Sequence, residues 1–242
     1  MPRSTGRASY AAIVIAIAGF WLFAEPVLAK IMFSFDLDSL VYMSSEIIEV
    51  GVTDARLENW MNIVSGKVLR TYVGKDKANE QITVGLSAYS KRDGKAFGKG
   101  DRLILFLEPA PAREQFHSFK YWPVPSGLKL IEGEKVTGVY QENNPGVYVP
   151  SIDDGRLEQF KIKLLQSIAD TEAFRKAFEA NKSNTKWLLA RLGERKQVEN
   201  ANGDKLATML CQALAATHDQ EAIGKAKARR TNYQERQILE QK

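Results

Sequence analysis

The chain has 242 residues, 44% of them hydrophobic and 26% charged, which suits one good-sized core with a smaller one beside it. One cysteine and two histidines exclude an internal disulfide framework, and they leave too few ligands for a zinc site, which needs three or four His, Cys or acidic groups in local pairs. The formal charge of +5 is uneven. Removing Arg3, Arg7 and Glu25 with residues 1–29 leaves +4, and the stretch 222–242 alone carries six Lys/Arg against two Glu, so residues 30–221 sum to about zero. A near-neutral body excludes a global basic field for nucleic acid.

At the N-terminus, Arg3 and Arg7 precede the apolar run AAIVIAIAGFWLF (11–23), and Val27 and Ala29 occupy the small-residue positions of a cleavage site. This is the pattern of a secretory signal peptide over 1–29, cut between Ala29 and Lys30. The apolar run is short of the ~20 residues a membrane span needs; an uncleaved N-terminal anchor is the alternative. No lipidation cysteine and no adjacent arginine pair accompany it.

DLDSLVYMSS (36–45) predicts a short helix with Asp36 as its cap. EIIEVGVT (46–53) alternates, with Ile48, Val50 and Val52 facing one way and Glu49 and Thr53 the other. NIVSGKVLRTYVG (62–74) predicts a longer strand with a bulge or coil at Gly66. QITVGLS (81–87) places Ile82, Val84 and Leu86 on one face, and GKGDRLILFLEP (98–109) leads from a glycine turn into a strand apolar on both faces. Shorter strands are predicted near 116–122, 128–131, 136–140 and 146–149.

From about 151 the hydrophobic period becomes helical. SIDD (151–154) reads as a capping box, which accounts for Asp153 and Asp154. Leu157, Phe160, Leu164 and Ile168 form one stripe; Phe174 and Phe178 stack a turn apart; Trp187, Leu188 and Leu192, then Leu206, Leu210 and Leu214, supply further faces. NKSN (181–184) and NANGD (200–204) read as joints. A last helix from about 219 is mostly charged, so its end is expected to fray or to run along a surface.

SSEIIEVGVT (44–53), GKVLRTYVGK (66–75), QITVGL (81–86) and GDRLILFLEP (100–109) resemble, in order and spacing, a group of exported bacterial proteins. The resemblance covers 44–150. It implies an α+β chain with a small antiparallel OB-like β-barrel over 36–150, related in shape to netrin-like and metalloproteinase-inhibitor domains. The helical segment 151–242 resembles irregular α-α hairpins of the HEAT type. Netrin-like inhibitors use disulfides and a mature N-terminal cysteine; here that end is Lys30, so the resemblance implies the fold and not the inhibition.

Catalytic constellations are sparse. His117 and His218 lie in different halves, and HExxH, CxxC and GxSxG are absent. GKAFGKGD (94–101) feeds a strand, whereas phosphate loops feed a helix N-terminus. Cys211 sits in an apolar helical run and reads as a buried small hydrophobe. The richest stretch is QFHSFKYWPVPSG (115–127). On a strand, Phe116, Ser118, Lys120 and Trp122 share one face, while Phe119 and Tyr121 make the better core set. Phe116, Lys120 and Trp122 are the binding candidates; the bland reading has the two aromatics cementing barrel to helices.

The expected function is an exported, non-catalytic binding or assembly module of the cell envelope. Its partner would be an envelope protein or a glycan, with no nucleic acid, cofactor or metal. Two alternatives stay open. A periplasmic hydrolase requires His117 or His218 to meet an acid and a nucleophile. A protein adhering to anionic membrane or polymer surfaces would use Lys225, Lys227, Arg229 and Arg230, each basic residue adding about 1 kcal/mol near the lipid.

Overall fold

The Asp36 carboxylate accepts from Ser39 N at 2.8 Å and so caps helix α1 (Leu37–Met43), as its place before an apolar run requires. The structure, a computed structural model, describes residues 36–58, 61–87, 89–90, 96–110, 119–137, 140–141, 155–195 and 204–240. All of these fall within one unit running from Met32 to the C-terminus. The leader with its predicted cut at Ala29 and Lys30, the SIDD cap, Phe116, His117 and the strand expected at 146–149 lie outside the described residues.

The chain is α+β, with strands first and helices after. Strands β1 (Glu46–Glu58), β2 (Met61–Val73), β3 (Gln81–Ser87), β5 (Arg102–Pro109), β6 (Tyr121–Glu132), β7 (Lys135–Thr137) and β9 (Gly155–Arg156) form a seven-stranded sheet. Its order is β3-β2-β1-β5-β6-β7-β9, with antiparallel neighbours throughout. Strands β4 (Tyr89–Ser90) and β8 (Tyr140–Gln141) pair separately. The sheet coils until β3 approaches β6, although no ladder joins them among the described residues.

The doubly apolar run LILFL lands in the middle of the sheet, as predicted. Leu103, Leu105 and Leu107 enter an inner cluster with Ile48, Val50, Val52, Val84 and Leu86. Ile104 and Phe106 enter an outer cluster with Leu40, Ile47, Leu157, Phe160 and Leu164. Each fully buried side chain of this kind contributes roughly 1.5–3 kcal/mol, so β5 is the principal anchor of both layers.

Glu49, expected on the polar face of β1, is buried at 3% exposure. That face is covered by α2 (Leu157–Asn181), so the carboxylate is held by Arg102, by the Tyr72 hydroxyl at 3.2 Å and by Lys161 at 3.8 Å. Burial, with the Glu49 charge added, pushes the Tyr72 phenol above its ordinary range. Gly66 stands where the pairing slips: Val52 faces Gly66 and Asp54 faces Ser65, which leaves Thr53 of β1 as the extra residue. A Cβ on Gly66 would lie 2.2 Å from Val50 Cγ1, so this glycine permits the close approach of the two strands.

Two strands were expected at 116–122 and 128–131, yet β6 runs unbroken over Tyr121–Glu132. Pro123 and Pro125 suggested a break. Among the described residues β6 pairs here only with β5, since β7 joins from Leu130 onward, and a proline is tolerated where no ladder bond is demanded of its nitrogen.

Helix α2 carries the predicted stripe and continues through Phe174 and Phe178, whose rings stack at 6.1 Å. It begins at Leu157 with no side-chain cap from Arg156. Asn184 caps α3 (Thr185–Glu194) and Asp204 caps α4 (Lys205–Ala216), at the two joints read from sequence. The single charged last helix is replaced by two, α5 (Gln220–Arg229) and α6 (Tyr233–Glu240). The chain turns at Arg230, which is 3% exposed and pairs with Glu235 at 0%. Leu239 joins Leu188, Leu210 and Cys211 in a third cluster, so this end is anchored rather than frayed. No helix among the described residues is long and apolar enough to cross a membrane.

Candidate functional site

Of the predicted binding candidates, Lys120 lies at the seam between β3 and β6. Lys120 precedes β6 and sends its ammonium to Asp76 Oδ1 at 2.9 Å, over the Tyr121 ring at 4.6 Å. The Tyr121 hydroxyl donates to Glu46 Oε1 at 3.1 Å. Glu46 in turn accepts from the Lys75 backbone N–H through both oxygens, at 3.0 and 2.9 Å. This nest exists because Gly74 turns the chain at φ +111° and has no side chain in the way: a Cβ there would fall 1.5 Å from Glu46 Oε2.

Asp76 is 5% exposed, and among the described residues its second oxygen, Oδ2, has no hydrogen-bond partner. A recess of about 160 Å³ opens beside it, lined by Glu80, Gln81, Ile82, Thr83, Lys120 and Tyr121 as well. Burial raises the Tyr121 phenol, with the Asp76 and Glu46 charges adding to it. The Tyr121 and Asp76 contacts hold the Lys120 ammonium above its usual range, so it stays charged at any physiological pH.

Trp122 does not share this seam. Tyr121 belongs to the inner cluster and Val124 to the outer one, so alternation along β6 sets Trp122 on the helix-facing side. It pairs in register with Glu108, whose carboxyl is pushed up by burial while Lys205 of α4 opposes the shift. Lys120 reaches Asp76 at the seam, whereas Trp122 stands beside Glu108 of β5. The acids Glu46 and Asp76 had no sequence signal beyond the VGKD turn that ends β2.

A larger recess lies among the helices. A groove of about 420 Å³ is bounded by Asp38 of α1, by Asp170, Thr171, Phe174 and Ala177 of α2, by Trp187 and Arg191 of α3, and by Arg195 and Leu206. The α2 residues recur at helical spacing and so present one face. Phe174 and Trp187 form an aromatic wall, with ring centres 6.3 Å apart, and the Arg191 guanidinium lies 5.7 Å from the Trp187 ring centre.

Arg195 fixes the floor. Its Nε, Nη1 and Nη2 donate to Asp204 at 2.5 Å, Asp38 at 3.4 Å and Asp36 at 3.1 Å. Burial works against its charge, and the three carboxylates outweigh burial and hold it above the usual arginine range. Asp38 also accepts from Ser167 at 2.6 Å, and Ser39 accepts from Lys205 N at 3.2 Å. The cap of α1 thus ties α2, the end of α3 and the start of α4 into one frame.

Cys211 is fully buried, and its thiol is pushed up to about 12 by burial and then by Glu235, so no reactive thiolate exists near neutral pH. His218 closes α4 at φ +58° and lines a separate recess of about 340 Å³ with Gln220, Ile223, Lys227, Leu239 and Glu240, none of which bears a hydroxyl or thiol. Among the described residues no group of three His, Cys, Asp or Glu is placed to hold a metal. Of the basic candidates, Lys225 is exposed and paired with Glu221, Lys227 is half-buried, Arg229 is exposed and Arg230 is turned inward.

No protein-family model matches the chain, and no curated protein matches it.

Proposed function

We propose that this chain is an exported, non-catalytic binding module of the cell envelope, and that it binds through the groove framed by α1, α2, α3 and α4. The carrying observation is the groove itself: about 420 Å³, within the 300–1,000 Å³ usual for ligand sites, walled by two aromatic rings and held open by Arg195 and its three carboxylates. The seam at Lys120 is a smaller, second contact surface. Its ammonium remains two-thirds exposed (67%) while neutralising Asp76.

For the β half, the order β3-β2-β1-β5-β6 and the approach of β3 to β6 support a partly open five-stranded barrel of the OB type. The short joints between α2 and α3 and between α5 and α6 support α-α hairpins. Export is supported by the charged, apolar and small-residue succession of 1–29.

Hydrogen exchange tests the binding reading. The purified chain, recombined with a solubilised envelope fraction from its host, is expected to slow exchange in peptides covering 166–192. Unchanged exchange there, or protection confined to the sheet, contradicts a groove-centred module.

A further inference from the structure

We infer that the groove takes a basic side chain, the ammonium of lysine or the guanidinium of arginine, from a partner polypeptide; this rests on the groove being the binding surface. The cation on its floor is already committed: Arg195 spends its Nε, Nη1 and Nη2 on Asp204, Asp38 and Asp36, and Arg191 gives its Nη1 to Glu194 at 2.6 Å. An incoming anion would find no open fork on Arg195 and would meet the three carboxylates around it.

Asp170, by contrast, lines the groove and accepts only from the Gln166 side chain, at 2.9 Å, with no cation in ion-pair reach among the described residues. Next to it, Thr171 is 2% exposed, and among the described residues its hydroxyl has no hydrogen-bond partner, a costly state for a buried group. Phe174 and Trp187 complete the site: an aromatic wall covers the aliphatic stem of a basic residue and attracts its charge. An acid without a cation and two aromatic rings within one groove are the complement of a long, cationic side chain.

The test uses 5-fluorotryptophan in the full chain, which has four tryptophans, with Trp187→Phe assigning the groove signal. The ligands are three peptides, N-acetyl-Phe-Xaa-amide with Xaa lysine, norleucine or glutamate. The lysine peptide is expected to shift the Trp187 fluorine resonance, and the norleucine peptide to bind about tenfold more weakly. Asp170→Asn should weaken the lysine peptide several-fold. Equal binding of the norleucine peptide, or preference for glutamate, overturns the cation assignment and leaves the groove as a binding surface. No shift with any peptide up to about 10 mM also overturns it; if exchange over 166–192 is likewise unchanged by the envelope fraction, the groove reading falls with it.

Discussion

Glu235→Ala is expected to destabilise the chain by about 3–5 kcal/mol, because it strands a buried guanidinium without its counter-charge. Arg230 is 3% and Glu235 0% exposed, Arg230 Nη2 reaches Glu235 Oε1 at 3.0 Å, and Arg230 Nη1 holds the Arg195 carbonyl at 3.0 Å. Burial opposes the charge on Arg230, and the Glu235 carboxylate outweighs it and holds the group above its usual range. The contribution tied to the Arg230 charge is therefore lost as pH rises through the arginine range. Chemical denaturation should give the full loss for Glu235→Ala and a smaller one for Glu235→Gln, which keeps an acceptor. The double change Arg230→Met with Glu235→Leu should recover much of the stability, since apolar replacements of buried pairs are often near neutral. Equal stability of Glu235→Ala and the parent would mean that α6 is not docked as described.

Gly74→Ala is the second large effect, roughly 2–4 kcal/mol. It combines the strain of a side chain at φ +111° with eviction of the Glu46 carboxylate from its two backbone contacts. Glu46 cannot simply swing aside: it is 5% exposed and also carries the Tyr121 hydroxyl. A double-mutant cycle reads this out. Glu46→Ala should cost much less in the Gly74→Ala background than in the parent, because both changes remove the same contacts. Strict additivity would show that the Glu46 nest does not stabilise the seam.

The legible parts of the fold were those set by local pattern. LILFL, the alternation of 46–52, the Asp36 cap and the joints at Asn184 and Asp204 follow from burial period and capping chemistry. They sit where the residues placed them. The misread parts depend on what covers a face. Glu49 looked solvent-facing because only the packing of α2 over β1 makes it buried. Arg230 and Glu235 looked like a charged tail because two polar residues five apart do not announce that the chain turns between them. Pro123 and Pro125 punctuated the sequence where the sheet happens to lack a second neighbour.

Lys120 stands in an aromatic run of the sequence, yet its partner Asp76 comes from the turn after β2, 44 residues away. Phe174 and Trp187 were legible as apolar helix faces. That they wall a groove with Asp170 and Thr171 needed the relative placement of four helices, which Arg195 and its three aspartates supply.

The most direct measurement places a photo-crosslinking amino acid at Ala177, a groove residue, in the full chain expressed in its own host. After irradiation of intact cells, the account predicts an adduct in the envelope fraction, carrying a chain whose N-terminal residue is Lys30, and its loss in Trp187→Ala. A chain that keeps residues 1–29, stays in the cytosol and forms no adduct at Ala177 would contradict it.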